Sequence, residues 1–207
     1  MKRYVVVAFL AALALCASAG AVEFGLDLGT RAVGLWPGDL YDFPRTVRAG
    51  VFDLLANVPL SSVSSVNFKV GSFTSTNSGK TDEGTRYVAS LSGIDARVAF
   101  FLTAPIVKNA VSVYAGVGAT YCYSRYLSAN GQYVNMKVNE SGVTVGVPAG
   151  LKLRLSRRVS FCVEMEVPDY GLYHDAVDDG SGHKSTLTWW QYGSLEPGIS
   201  AAIYLTH

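Results

Sequence analysis

The chain has 207 residues and a formal net charge of +1 at pH 7, so it lacks the basic excess of a nucleic-acid-binding protein. Hydrophobic residues make up 49% of the chain and charged residues only 16%, below the roughly 25% that is typical of soluble proteins. This composition favours a protein that meets a membrane over an ordinary soluble one.

The N-terminus has the pattern of a secretory signal. The basic start MKR is followed by an apolar run that ends at Cys16, and small residues up to Ala21 provide a cleavage site. The run is shorter than the roughly 20 residues of a membrane-spanning helix. We therefore expect residues 1–21 to be a signal peptide and 22–207 to form one mature domain. Lipid attachment at Cys16 is an alternative, which the bulky Leu15 before it disfavours.

Alternation of apolar and polar residues with period 2 recurs along the mature chain, and no stretch shows a helical stripe. The pattern predicts eight β-strands. They are Val22–Trp36, Thr46–Leu60, Val63–Thr76, Thr85–Thr103, Ala110–Tyr126, Ser141–Leu155, Val159–Tyr170 and Thr186–Leu205. The register of 46–60 is the least defined, because both of its faces are apolar in places.

The connections between these segments alternate in length. The short ones are Pro59–Ser62, Ala104–Asn109 and Ser156–Arg158, and the longer, polar ones are Pro37–Arg45, Ser75–Gly84, Leu127–Glu140 and Gly171–Ser185. Short turns at one end and long loops at the other are typical of outer-membrane barrels, whose short turns face the periplasm. The sequence thus predicts an all-β fold, an eight-stranded antiparallel up-and-down transmembrane β-barrel.

Alternation alone does not say which face points outward, and a soluble barrel would place its apolar face inside. The clearest strands reach the roughly 9–11 residues that cross a bilayer. Aromatic residues also cluster toward strand ends, where a girdle at the membrane interfaces is expected. The predicted girdle is Trp36, Tyr121, Tyr123, Tyr126, Tyr170, Trp189 and Trp190. Both features favour lipid outside and polar residues inside.

The face opposite the apolar stripe carries charges of both signs. The predicted lumen network is Asp27, Arg31, Lys69, Asp95, Arg97, Lys152, Arg154, Glu164, Glu166 and Glu196. Buried charges are tolerated only when they are paired, and eight strands enclose a space that side chains can fill. We therefore expect a charge-plugged lumen and no wide pore.

Strand register makes the expected pairs specific. A turn at Ser156–Arg158 sets Glu164 opposite Gly150 and makes Glu164 a diagonal neighbour of Lys152. The same turn sets Lys152 opposite Cys162 and Arg154 opposite Ser160.

In the preceding hairpin, pairing Leu102 with Val111 sets Arg97 opposite Gly116 and Asp95 opposite Gly118. Across the lumen, similar heights predict that Glu164 meets Arg97 and that Glu166 meets Arg31. The mature cysteines, Cys122 and Cys162, lie on strands that are not neighbours, so we expect two free thiols.

Two groups of residues raise the question of chemistry. Glu164 and Glu166 share a face and could act as general acid and base, but no substrate cleft or partner motif accompanies them. The predicted loop HDAVDDGSGH has metal-ligand residue types without the spacing of an EF-hand or a zinc motif. We expect neither an enzyme nor a metal or other cofactor. The candidate ligands, read as a solvated loop, are His174, Asp175, Asp178, Asp179 and His183.

The chain resembles the small eight-stranded outer-membrane proteins, the OmpA/OmpX/OmpW group. The similarity lies in the first strand VEFGLDLGTRAVGLW, the hairpin GLKLRLSRRVSFCVEMEVPDYG and the ending EPGISAAIYLTH. One departure is that Tyr204 is not terminal, whereas such proteins commonly end on an aromatic residue. Pro148 and Pro197 fall within predicted strands and predict β-bulges.

The resemblance implies a monomer in the bacterial outer membrane, in contact with lipid and with an extracellular or host ligand at its long loops. Its role would be structural or one of surface interaction, with a closed lumen. An OmpW-like narrow conduit for small apolar molecules is one alternative. A secreted soluble β-barrel that binds a ligand is the other.

Overall fold

The computed structural model describes residues 22–34, 46–80, 86–130, 136–192 and 198–206. Within these ranges the chain forms β-strands, and no helix there is long and apolar enough to cross a membrane. The strands are β1 Glu23–Gly34, β2 Thr46–Pro59, β3 Ser64–Lys80, β4 Arg86–Val107, β5 Val111–Asn130, β6 Met136–Arg154, β7 Val159–Asp178, β8 Lys184–Tyr192 and β9 Gly198–Thr206. The expected signal peptide lies outside the described residues.

The strands close into an antiparallel barrel. Each strand from β1 to β7 pairs with the next, and β9 pairs with β1. Strands β8 and β9 pair with successive parts of β7, from Tyr170–Asp178 and Val159–Glu166, so together they fill the eighth position. The predicted eight-stranded up-and-down barrel is therefore confirmed, although residues 193–197 between β8 and β9 are not described.

The outer surface of the barrel is apolar. In the middle zone of the barrel, large apolar side chains point outward and are exposed. Examples are Leu28 on β1, which is 61% exposed, and Val117 on β5, which is 56% exposed. On β6 the burial pattern alternates residue by residue, as it must when one face meets the lumen and the other meets the surroundings. Lipid is the solvent in which such a surface is stable.

Several strands run farther than the sequence pattern predicts. β5 continues to Asn130 and β6 begins at Met136, within the predicted loop Leu127–Glu140. β7 likewise continues to Asp178, within the predicted loop Gly171–Ser185. In these extensions the apolar face turns inward, because Met136 is buried while Lys137 is exposed. Where a barrel rises above the membrane, water surrounds it, so polar residues face outward and apolar residues face inward. In the sequence such a segment resembles a polar loop.

The register of the hairpins was predicted correctly in one case and wrongly in another. β6 and β7 pair Gly150 with Glu164, Lys152 with Cys162 and Arg154 with Ser160, as expected. β4 and β5 instead pair Leu102 with Ala115, Arg97 with Thr120 and Asp95 with Cys122. The cause is that β4 continues past Pro105, with an irregular register between Pro105 and Val107, before a turn at residues 108–110.

The bulge predicted at Pro148 is absent, and Pro197 lies outside the described residues. Pro148 keeps its register with Glu166 on β7. The shift falls instead on β7, where Val145 pairs with Tyr170 but Gly146 pairs with Pro168. One extra residue on β7 reverses the inward and outward sides of the strand above it. Cys122 and Cys162 form no disulfide, as expected.

Candidate functional site in the barrel lumen

Arg97 is the centre of the lumen. Its Nη1 atom lies 2.6 Å from Glu164 Oε1 and 2.8 Å from Glu166 Oε2, and Nη2 donates to Asn67 Oδ1 at 3.2 Å. The Tyr114 hydroxyl donates to the other oxygen of Glu164 at 3.3 Å. Arg97 is only 3% exposed. A guanidinium from β4 therefore spans the barrel to two carboxylates on β7.

This cluster contains the expected Arg97–Glu164 contact and adds Glu166, which also binds Arg97. The expected contact between Glu166 and Arg31 stays a prediction, because the side chain of Arg31 lies outside the described residues. The planar guanidinium presents several donors in a fixed fork, so one arginine can hold two carboxylates and an amide together. Such an assembly joins opposite walls of the barrel at its level.

A second ion cluster lies beside the first. The Lys69 ammonium is 2.5 Å from Asp27 Oδ2 and 3.0 Å from Asp53 Oδ2. Asp27 and Asp53 are direct cross-strand partners, and both are buried. Like charges at such a position repel each other, so the ammonium between them is what makes the pair tolerable. Lys69 and Asp27 were expected inside from the sequence, whereas Asp53 was not.

Gly71 provides the space for this cluster. It pairs with Asp53 on one side and with Asp95 on the other. A Cβ atom at Gly71 would lie 1.7 Å from Asp53 Oδ1 and 2.4 Å from the carbonyl oxygen of Phe52. The absence of a side chain at this position is therefore a condition for burying Asp53. Asp95 is itself buried, as the predicted network requires.

Lys152 has a different partner from the one expected. Its ammonium forms an ion pair with Glu23, which also accepts a hydrogen bond from Asn57 Nδ2 at 2.8 Å. The ammonium lies 5.4 Å from the centre of the Tyr204 ring, a cation–π distance. The diagonal contact with Glu164 that the register suggested is replaced, because Glu164 is held by Arg97 on the opposite wall.

One more predicted lumen residue lies elsewhere, and another cannot be placed. Arg154 is exposed at the short-turn rim of the barrel and does not lie within the network. Glu196 lies outside the described residues, as does Trp36 from the predicted girdle. Lumen acids that were not predicted from the sequence are Glu23, Asp53, Glu140 and Asp175. Among the described inward side chains, acids outnumber bases.

A vestibule opens at the short-turn end of the lumen. This cavity of about 890 Å³ reaches from the turns up to Asn67 and the Tyr204 ring, just below the guanidinium of Arg97. Its wall combines aromatic rings with hydroxyl, amide and charged groups. Residues that line it include Asn57, Phe101, Tyr114, Lys152, Cys162 and Tyr204. The lumen is thus open from the short-turn side as far as the Arg97 cluster.

An apolar core fills the lumen toward the long-loop end. Leu91, from β4, is 1% exposed and packs with residues of β2, β3, β5 and β6. The buried members of this apolar cluster are Ala49, Val51, Phe73, Leu91, Tyr126, Met136 and Val138. Tyr126, which was expected in the outer girdle, lies here because the upper wall of the barrel has its apolar face inward. The cluster lies above the ion pairs and packs side chains of four strands together.

Two buried carboxylates also lie near the long-loop end. Glu140 on β6 and Asp175 on β7 are direct cross-strand partners. Glu140 Oε1 accepts a hydrogen bond from Ser124 Oγ at 3.4 Å, and Asp175 Oδ2 accepts one from Trp189 Nε1 at 2.8 Å. Burial and the charge of Asp175 raise the pKa of Glu140 to about 8. Burial raises the pKa of Asp175 to about 6.

Trp189 is therefore inside the barrel and not in the girdle. Its ring stacks on Tyr173 with 4.6 Å between the centroids. The expected solvated loop around Asp175 is likewise wrong, because this aspartate lies within β7 and has no exposed surface. The actual turn is ordered by Asp179, whose Oδ1 accepts hydrogen bonds from Ser181 N at 2.8 Å and His183 N at 3.2 Å.

The remaining girdle residues point outward. Tyr121 and Trp190 stand in one row around the barrel, linked by pairings through Val143 and Leu172. Tyr170 is outward one row below, and Tyr123 one row above. No cluster of three or more histidine, cysteine or acidic side chains suited to a metal ion occurs within the part of the chain that the structure describes.

Comparison with known proteins gives similarity at the level of fold. No protein-family model matches the chain. No curated protein matches it either. Among solved structures, the outer membrane protein OprG from Pseudomonas aeruginosa superposes with a TM-score of 0.59 at 10% identity, covering 90% of this chain and 94% of that one. A major outer membrane protein from Thermus thermophilus gives 0.52 at 16% identity, covering 89% of this chain and 100% of that one. The chain therefore has the fold of the small eight-stranded outer-membrane β-barrel proteins, the group that its sequence resembles.

Proposed function

We propose that this protein is a bacterial outer-membrane barrel without a through-pore, and that it acts by presenting its long-loop end at the cell surface. The observation that carries the proposal is the presence of two layers of contacts across the lumen, the Arg97 ion cluster and, above it, the apolar cluster around Leu91. We infer that each layer closes the lumen at its level.

The two closures are of different kinds, so one perturbation does not remove both. Opening the lower one separates Arg97 from two carboxylates in a place where the bare charges are poorly solvated, which costs several kcal/mol. Opening the upper one exposes packed apolar side chains such as Phe73 and Tyr126 to water. A closed, rigid barrel suits a structural or surface-interaction role better than transport.

Planar-bilayer recording tests the closed lumen. The purified mature protein should give no stable channel steps. The Arg97→Gln variant should also stay closed, since the apolar cluster remains in series with the altered layer. Stable steps from the unaltered protein would overturn the proposal, and steps from Arg97→Gln alone would show that the apolar cluster does not seal the barrel.

Labelling of intact cells tests the orientation. His183 lies in the turn between β7 and β8, and Arg157 lies in the short turn between β6 and β7; both side chains are exposed. A membrane-impermeant maleimide should label His183→Cys in intact cells and Arg157→Cys only after lysis. The reverse labelling would contradict the proposed orientation. The same preparation, sequenced from its N-terminus, tests for cleavage after Ala21.

A narrow conduit is the second candidate, and the vestibule is the observation that favours it. A cavity of about 890 Å³ that already reaches mid-height could be the lower half of a path for small molecules. Such a path would need the Arg97 cluster to open, so it predicts conductance or solute uptake that Arg97→Gln increases.

A soluble secreted barrel would need its apolar face inside along its whole length. Against this reading stand outward side chains such as Leu28 and Val117. Detergent-dependent solubility together with heat-modifiable gel migration would support the membrane barrel. We further propose that the protein is a non-enzymatic monomer whose partners are membrane lipid and a ligand at the long loops. Size-exclusion chromatography with light scattering in detergent tests the monomeric state.

A further inference from the structure

The outer surface of the barrel shows where its apolar band ends. Tyr121, Val143, Leu172 and Trp190 form one row of paired residues across four strands, and all four side chains are exposed. The next outward residues on the same strands, toward the long loops, are Tyr123, Ser141, His174 and Thr188. The change from apolar to polar side chains between these rows marks the upper limit of the lipid hydrocarbon.

Two cations stand side by side just above this limit. Arg125 on β5 pairs with Asn139 on β6, and Lys137 lies two residues from Asn139 on the same outward face. Arg125 and Lys137 are therefore diagonal cross-strand neighbours, which long side chains can bridge. Both are exposed. On strands that rise about 3.4 Å per residue and tilt by about 40°, Arg125 lies about 10 Å above Tyr121 and Lys137 about 16 Å above Val143, so both side chains have to reach down to meet a headgroup.

Asn139 completes a set of hydrogen-bond donors between the two cations. The Tyr123 hydroxyl donates to Asn139 Oδ1 at 3.5 Å, so the amide nitrogen remains as a donor toward the surroundings. The described acid nearest to the pair is Asp178, which faces Lys137 across the ladder and lies 4.0 Å from Lys184. Among the described residues of this outer face, two lysines and an arginine thus meet one carboxylate, so their summed charge is positive.

From this placement we propose that Arg125, Lys137 and Asn139 bind the phosphate of an anionic lipid in the outer leaflet. A guanidinium, an ammonium and an amide are the donors that phosphate oxygens accept from, and arginine can bind two of those oxygens at once. The height of the pair selects a lipid headgroup over a free anion. Long basic side chains at this depth reach down to the interface while their stems cover apolar wall.

Native mass spectrometry of the full mature chain in detergent micelles tests the proposal, with phosphatidylglycerol as the probe. The variant carrying Arg125→Gln and Lys137→Gln should bind the probe about 30-fold more weakly, at about five-fold per cation near a charged interface. The matched control is Arg157→Gln with Arg158→Gln, which removes the same charge from exposed positions in the opposite turn. The control should change the affinity by less than about two-fold.

A conservative variant and a second lipid test whether the binding depends on charge. Arg125→Lys keeps the charge and should retain most of the binding, while phosphatidylcholine, which has no net charge, should bind equally to every variant. Equal loss in the control pair, or no loss in the Arg125 and Lys137 pair, would overturn the site. Displacement of the lipid by millimolar inorganic phosphate would overturn the assignment to a lipid headgroup. Heat-modifiable migration of each variant verifies that the barrel is folded.

Discussion

Replacement of Arg97 by methionine is the perturbation for which the structure gives the sharpest expectation. The change removes two charged contacts, at 2.6 and 2.8 Å, and one hydrogen bond to Asn67 at 3.2 Å. It leaves Glu164 and Glu166, which lie side by side on β7, without the guanidinium that both of them bind. Breaking a buried pair from one side typically costs about 3–5 kcal/mol, so we expect the free energy of unfolding to fall by about that amount.

Urea unfolding in lipid vesicles, followed by tryptophan fluorescence and gel mobility, measures this loss. The matched control is Arg154→Met, which removes an exposed arginine from the rim and should cost less than about 0.5 kcal/mol. Adding Glu164→Gln and Glu166→Gln to Arg97→Met should recover part of the loss, because the uncompensated charges disappear. The reasoning is refuted if Arg97→Met costs no more than the control, or if the triple variant is no more stable than the single one.

Three other predictions use matched pairs or titration. Gly71→Ala should destabilise the barrel by more than about 2 kcal/mol, because the new Cβ would overlap Asp53. The control Gly50→Ala, whose Cβ would meet nothing closer than 3.9 Å, should be nearly neutral in the same unfolding assay. Equal effects of the two substitutions would contradict the assigned cluster. Trp189→Phe should lower the free energy of unfolding by about 1–3 kcal/mol, since Asp175 loses its indole donor. Trp190→Phe on the outer wall should lower it little. A larger loss of stability for Trp190→Phe would contradict the assignment of Trp189 to the inside. Burial raises the pKa of Glu140 to about 8, so the folded state keeps a proton that the unfolded chain has released, and stability should fall as the pH rises from about 4.5 to 8. Urea midpoints across this range check it, and Glu140→Gln should flatten the dependence; a midpoint that rises with pH would show that the carboxyl is not buried in this way.

The alternation of residue types was enough to predict the barrel and its strand number, whereas the face that meets lipid was predicted only with strand length and the aromatic residues added. It also fixed the register of β6 and β7, because the turn at Ser156–Arg158 is short and both flanking residues are unambiguous. Where a turn was misplaced, the register failed. Pro105 suggests the end of a strand, yet β4 continues to Val107, and every contact expected between β4 and β5 shifted with it.

The upper half of the barrel was the part that could not be predicted from the sequence. The register shift near Pro168 reverses the two sides of β7, so Asp175 and Tyr173 point inward although parity counted from Glu164 would place them outside. Trp189 follows them inside through its pairing with Tyr173. From the sequence, the single extra residue on β7 could not be recognised within the alternation of apolar and polar residues. The polar composition above it therefore made this segment resemble a loop.

The inversion of the apolar face along β5, β6 and β7 has a mechanical consequence. Above the row of Tyr121 and Trp190 the barrel no longer depends on lipid, because its own core around Leu91 holds the walls together. The surface segments therefore start from a rim that packed apolar side chains support from inside. Such a rim can accept insertions or exchanges between Lys80 and Arg86, or between Asn130 and Met136, without transmitting them to the part that the membrane surrounds.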